Sequence, residues 1–152
     1  NWLMGGEADE ATVAMSLGGS PIREKWTNPD VIGTFKSKPA DLYKFPIELL
    51  AAEIKLAPTE GVTAFGQAIA YKLFAHKVFI VMPTAISPED RSRLESLCLR
   101  NGIGLVVFDL DCDNPNFQYI IRSQASVPDA FYTNQFLDRM KSHNESVLNQ
   151  LL

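Results

Sequence analysis

Residues 47–56 read Ile47-Glu48-Leu49-Leu50-Ala51-Ala52-Glu53-Ile54-Lys55-Leu56. Side chains alternate along a strand, so Ile47, Leu49, Ala51, Glu53 and Lys55 share one face. Glu48, Leu50, Ala52, Ile54 and Leu56 share the other. Both faces are apolar over most of their length, the mark of a central strand covered on two sides. Near its end the strand carries a carboxylate and an ammonium two residues apart. Burying an unpaired charge is costly, so the pair calls for a mutual ion pair, a metal, or solvent at the strand end.

Working outward, Val31–Phe35 is rich in β-branched residues and reads as a strand. Ser37–Pro46, with two prolines and several lysines, is the loop between it and the central strand. Upstream, Ile22–Trp26 reads as a strand and Gly6–Leu17 as a short helix, stopped by Gly18-Gly19-Ser20-Pro21. Downstream, Pro58–Gly61 is a turn and Val62–Ala75 a helix dense in Ala, Phe and Leu. Val78–Met82 is a buried type of strand. Ser87-Pro88-Glu89-Asp90 is a helix start with a capping serine, a first-turn proline and an acid three residues on. That helix runs to about Arg100 and stops at Asn101-Gly102. Leu105–Phe108 and Phe117–Arg122 are further strands, and a last helix opens at Pro128 or Asp129, running to about Met140 with Ser142–Leu152 either frayed or continuing it. The order predicts one three-layer α/β/α domain spanning residues 1–152, a central mixed sheet flanked by helices.

Composition sets the outer bounds. The chain has 152 residues, 46% hydrophobic and 21% charged, which suits one globular domain with a core that needs no staples. Two cysteines, Cys98 and Cys112, exclude a disulfide scaffold and a four-cysteine zinc site; both are expected as reduced thiols in a cytoplasmic protein. No apolar run approaches the roughly 18–20 residues of a membrane span, and Asn1–Gly6 has no signal-peptide pattern. A chain that opens on Asn1 is expected to be processed or excised from a longer one. The net charge of −4 argues against a stand-alone binder held to DNA by phosphate neutralisation. It is compatible with an enzyme whose carboxylates hold a cation, because the bound ion reverses the local sign. Arg23, Lys25, Lys36, Lys38, Lys44 and Lys55 fall in one third of the chain, around the central strand; from composition alone they read as solvated lysines and arginines.

Glu53 has a candidate partner upstream. In an antiparallel hairpin, pairing Asp30 with Glu53 centres the turn between Asp41 and Leu42, inside the proline- and lysine-rich loop. The rival acid Asp41 would centre the turn on Ile47 and consume the strand itself. Asp30 is therefore the better partner. Two carboxylates on neighbouring strands, an adjacent backbone carbonyl and a lysine form a hard oxygen site of the kind Mg²⁺ accepts. Such an ion polarises a phosphoryl oxygen and lowers the pKa of a bound water. Lys55 would orient or help deprotonate that water, or stabilise charge in the transition state. The chemistry implied is phosphodiester hydrolysis.

Pro29-Asp30-Val31-Ile32-Gly33, then Glu53-Ile54-Lys55, then Gln67-Ala68-Ile69-Ala70-Tyr71 resembles the PD-(D/E)XK nuclease superfamily, the trailing Gln-x-x-x-Tyr being similar to that of its RecB-type branches. The resemblance covers roughly Ile22–Pro83. It implies a restriction-endonuclease-like core and a nuclease, expected to be an endonuclease, using Mg²⁺ or, as a substitute, Mn²⁺. It also implies Asp30 and Glu53 as metal ligands with the Ile54 carbonyl as a third, and Lys55 as the catalytic lysine. Gln67 and Tyr71, at i and i+4 on one helical face, would line the substrate site. The expected partner is nucleic acid, DNA in the first place, with a homodimer and a recognition domain outside this chain as further expectations and no membrane partner. Relatives often add a glutamate from the first helix; Glu7 and Glu10 are both open for that role. The rival outcome is the same fold kept as a catalytically silent nucleic-acid or protein-binding module.

Two further signals are weaker. Leu105–Phe108 followed by Asp109-Leu110-Asp111 resembles the nucleophile motif of haloacid-dehalogenase-type phosphatases. Cys112-Asp113 stands where that family has Gly-Thr, however, and too few residues follow for its downstream motifs. The same acids do not make an EF-hand, because Asn114 replaces the loop glycine and Ile120 the closing glutamate. His76, between a helix and a strand, is expected at the helix C-terminus. Neither it nor His143 has a metal-ligand partner at helical spacing.

Overall fold

The computed structural model describes residues 13–17 and 26–152. Six strands form one sheet in sequential order: β1 (Val13–Ser16), β2 (Val31–Phe35), β3 (Glu48–Ile54), β4 (Lys77–Pro83), β5 (Gly104–Phe108) and β6 (Gln118–Ile121). The β1–β2–β3 segment is an antiparallel meander, β3, β4 and β5 run parallel, and β6 returns antiparallel. The two parallel steps are made by helices α1 (Gly61–Tyr71) and α2 (Pro88–Asn101), and α3 (Ala130–Leu151) follows β6. Two crossovers that advance across a sheet in the same direction, each right-handed, put their helices on the same face. Here α1, α2 and α3 all contribute to one core with Ile32, Leu49, Ala51, Val78, Ile80 and Leu105.

The central strand is covered on both faces, as its sequence requires. Leu49, Ala51 and Glu53 point to the helices and Leu50 and Ala52 point away, and none exceeds 4% exposure. The helices seal their side through Ala64, Ala68 and Tyr71 of α1, Leu94 and Cys98 of α2, and Phe136 and Met140 of α3. Phe74, just past α1, stacks on Phe136 with ring centroids 4.2 Å apart. On the opposite face Leu50, Ala52 and Phe79 pack with Val31 and Phe35, and Val81, Val106 and Phe108 with Phe117. No described helix lies there. Among the described residues the sheet therefore carries one helical layer, where the sequence suggested two.

Several local signals act as expected. Ser87 caps α2, its hydroxyl accepting from the Asp90 N–H at 3.1 Å, with Pro88 in the first turn. Gly102 ends that helix at φ 66°, the left-handed region that glycine occupies without strain. Gly104 opens β5 because a Cβ there would lie 2.5 Å from the Phe79 ring.

Other expectations are corrected. Val13–Ser16 is strand β1, not the end of a helix over Gly6–Leu17. Pairing with β2 overrides a weak 3.6-residue pattern, since Met15 and Val13 reach the core from the strand. The expected strand over Ile22–Trp26 lies outside the described residues except for Trp26, which sits exposed in a bend. Glu7, Glu10, Arg23 and Lys25 also lie outside them. The helix expected over Val62–Ala75 ends at Tyr71, the chain turning through Phe74 to reach β4. The last helix extends past Met140 to Leu151 but bends at Asn144, whose φ/ψ of −156°/74° is not helical. The Asn144 Oδ1 accepts from the Val147 N–H at 3.2 Å and so caps the second segment. That segment ends on β2, where the Leu151 carbonyl accepts from Thr34 Oγ1 at 2.8 Å and from Lys36 Nζ at 3.2 Å.

Lys36, Lys38 and Lys44 belong to the β2–β3 connection, at the far end of these strands from Asp30 and Glu53. They do not surround the central acid pair. Cys98 is buried, and burial pushes its thiol up to about 12, with Glu95 adding to the shift; Cys112 is exposed. No described helix is long and apolar enough to cross a membrane.

His76 does not serve a helix C-terminus. Its ring Nδ1 accepts from the Leu49 N–H at 3.0 Å, while its backbone N–H donates to the Leu49 carbonyl at 2.8 Å. Burial lowers its pKa below the ordinary value, and Glu48 partly opposes that shift. A histidine whose folded pKa is depressed takes up protons more readily when unfolded. Its contribution is thus complete above the unfolded value of about 6.5 and is lost as pH falls through it. Thermal unfolding followed from pH 8 to pH 5 should show Tm falling toward the acid side. In His76→Asn, whose amide oxygen can still accept from Leu49 but does not titrate, that dependence should flatten.

Candidate functional site

The β2–β3 ladder runs from Phe35 opposite Glu48 to Val31 opposite Ala52, which brings Asp30 next to the end of β3. At Asp30 the ladder becomes irregular: its N–H donates to the carbonyl of Ala52, the residue already opposite Val31, at 3.0 Å. Pro29 precedes Asp30 and has no N–H, so the chain leaves the ladder there. Asp30 is tied on both sides: its carbonyl accepts from the Leu17 N–H at 2.8 Å, and its Oδ2 from the Ile54 N–H at 2.8 Å. Both carboxylates lie at the carboxyl end of β3, Glu53 facing the helices through Tyr71 and Asp30 reaching the Ile54 N–H from the neighbouring segment.

Glu53 is only 3% exposed. A carboxylate so buried needs donors to offset its lost hydration, and it has two. Lys55 Nζ donates to Oε1 at 2.7 Å, the ammonium side chain itself being 15% exposed. Tyr71 Oη donates to Oε2 at 2.5 Å. The tyrosine is 1% exposed, and its oxygen also lies 2.9 Å from the Asn28 carbonyl. Burial, then the hydrogen bond and charge of Glu53, then the charge of Asp30, push the phenol far above its ordinary pKa. Helical side chains lean back toward the helix N-terminus, which is how a residue in the last turn of α1 reaches the carboxyl end of β3.

Gln67, one turn earlier on α1, is half-buried, and its Oε1 is shut away from solvent with no hydrogen-bond partner. Lys55 is held through its own backbone, its N–H donating to the Val81 carbonyl at 3.0 Å across the parallel β3–β4 pair. The structure thus brings Asp30, Glu53, Lys55 and Tyr71 together, with Gln67 on the adjoining turn and the Ile54 peptide between the two charged residues of the strand.

The donor set suits a hard cation in kind. Asp30 and Glu53 supply carboxylate oxygens, and Ile54 a peptide carbonyl. An ion such as Mg²⁺, which keeps several waters, needs few protein ligands. Among the described residues no group of three or more His, Cys, Asp or Glu gathers into a metal cluster.

The loop after β5 forms a separate constellation. Asp109 accepts from Thr84 Oγ1 at 2.7 Å and from Asn116 Nδ2 at 3.4 Å, so the acid expected to be a decoy is taken up in fastening its loop. Sequence reasoning missed Asn28 and Thr27. Arg139 of α3 donates to the buried Thr27 Oγ1 at 3.3 Å, anchoring the segment that leads to Asp30, and no spacing rule links residues 112 positions apart.

The chain matches no protein-family model, no curated protein and no solved structure.

Removing one member of the Glu53–Lys55 pair leaves the other buried without its counter-charge. Lys55→Met should lower stability by up to about 3 kcal/mol, the low end for breaking a buried pair because the lysine keeps some solvent contact. Adding Glu53→Gln should restore most of the loss. Urea denaturation of the two variants measures both effects.

Proposed function

We propose that the chain is a metal-dependent nuclease domain of the PD-(D/E)XK type, hydrolysing phosphodiester bonds of nucleic acid, DNA in the first place. The observation that carries the reading is the cluster at the end of β3, where Asp30 Oδ2 accepts from the Ile54 N–H at 2.8 Å and Lys55 Nζ lies 2.7 Å from Glu53. Asp30 and Glu53, with the Ile54 carbonyl, would hold Mg²⁺ or Mn²⁺. When bound, such an ion polarises the phosphoryl oxygen and makes a coordinated water acidic enough to attack. The chain's own groups do the rest. Asp30 spends Oδ2 on the Ile54 N–H, which fixes its carboxylate and leaves the other oxygen for the ion. Lys55, at the partly open edge of the site, is placed to orient the attacking water and to stabilise the negative charge that develops on the phosphoryl oxygens. Gln67 offers an unused acceptor on the helix face beside them.

A second reading rests on a specific observation. Both Glu53 oxygens and one Asp30 oxygen already have partners within the chain. The same residues would then fasten the ends of β2 and β3 in a binding module without turnover. Metal separates the two, because a silent module takes up no Mn²⁺ in a calorimetric titration.

Supercoiled plasmid incubated with the protein in Mg²⁺, Mn²⁺ or EDTA is the direct test. Nicking or linearisation should require the metal. Asp30→Ala, Glu53→Ala and Lys55→Ala, each checked for folding by circular dichroism, should lose at least about 10²-fold in rate. A fully active Lys55→Ala protein would remove the mechanism.

A further inference from the structure

We propose that Tyr71 is a positioning residue of the metal centre and not a contact for the nucleic acid: its phenol presets the Glu53 carboxylate and ties the strand carrying Asp30 to it. The inference rests on the nuclease reading and deepens it.

A residue that touches substrate has to be reachable, and Tyr71 is 1% exposed. Its ring packs against Phe74 at 5.9 Å, and Phe74 stacks on Phe136 of α3, so the phenol is locked into the helix layer. Only its oxygen reaches the site. There, one O–H proton lies between two acceptors, the Glu53 Oε2 at 2.5 Å and the Asn28 carbonyl at 2.9 Å. These acceptors belong to different segments. Glu53 lies one residue from the end of β3, whereas Asn28 precedes Pro29 on the segment that leads into β2. A single buried hydroxyl thus bridges the segments that carry the two acids.

The two partners of Glu53 differ in what they can do next. Lys55 is partly exposed and on a flexible stem, so it can yield Oε1 to an incoming cation. Tyr71 has a rigid ring and no solvent route, so it stays on Oε2. A hydrogen bond to a ligating carboxylate that persists on metal binding orients the ligand in advance, and losing such a contact costs about 10–100-fold in metal affinity.

The test is Mn²⁺ affinity by calorimetry, alongside Tm by circular dichroism, for the parent, Tyr71→Phe and Met140→Ala. Tyr71→Phe keeps the ring and removes only the hydroxyl. Met140→Ala truncates the core on α3, removing an apolar side chain that makes no hydrogen bond to the acids, and reports what mere destabilisation does. Tyr71→Phe is expected to weaken Mn²⁺ binding about 10–100-fold. Met140→Ala is expected to stay within about twofold of the parent despite its lower Tm, because it leaves the Tyr71 hydroxyl and its bond to Glu53 in place. Equal Mn²⁺ affinity in Tyr71→Phe and the parent overturns the positioning role while leaving the nuclease reading in place. A parent that takes up no Mn²⁺ overturns both. Should Tyr71→Phe be unfolded in buffer, the titrations are run in sucrose, which favours the compact state of every variant.

Discussion

A carboxylate buried to 3% exposure on a central strand is the constraint to which the rest of this structure answers. Glu53 gives up its hydration when β3 is covered on both faces, and it is tolerated only because donors arrive from two directions. One comes from its own strand, two residues on. The other comes from α1, and for the Tyr71 hydroxyl to arrive the helix has to lie over β3 with its last turn leaning back toward the carboxyl end of the strand. The tight turns between Tyr71 and Phe74 follow, because the chain must then re-enter the sheet at Lys77 beside Leu50.

The topology gathers chemistry at one end of the sheet. β3, β4 and β5 run parallel, so Glu53, Thr84 and Asp109 all lie at carboxyl ends, where open α/β sheets ordinarily place their ligand crevices. The antiparallel β2 delivers Asp30 to the same end because it enters the sheet there, and Pro29 marks the point of entry. Lysines 36, 38 and 44 occupy the opposite end, where Lys36 satisfies a carbonyl of α3. These three lysines therefore sit at one pole, while the acids, with Lys55, occupy the other.

Much of this was legible in the sequence where one local rule dominated. β2 was bounded by its β-branched run, α2 by Ser87 and Gly102, and the β2–β3 register by the need to place a turn in a proline-rich loop without breaking the apolar strand. That register brings Asp30 to the end of β3, although the ladder itself turns irregular there, the Asp30 N–H going to the Ala52 carbonyl. What could not be read depended on contacts far apart in the chain. β1 looked helical because its alanines and methionine suit either period, and only its pairing with β2 makes it a strand. The burial of the Tyr71 hydroxyl was hidden as well, since an i, i+4 spacing with Gln67 says that the residues share a face and not what that face meets. His76 was misplaced for a similar reason: its partner is a backbone N–H 27 positions earlier, and nothing local announces it. The bend at Asn144 was hinted at only by the uncertainty over where the last helix stopped.

The two cysteines make the molecule chemically asymmetric. The Cys98 thiol, sealed beneath α2 and pushed up to about 12, holds essentially no thiolate at neutral pH, and thiolate is the form that reacts. Cys112 is exposed on the loop beyond the carboxyl end of β5, at the same pole as Asp30 and Glu53. An alkylating dye added to the folded chain thus meets one accessible sulfur, on the loop after β5, two strands over from Glu53. The fold carries its own single attachment point for a reporter at the carboxyl end of its parallel strands.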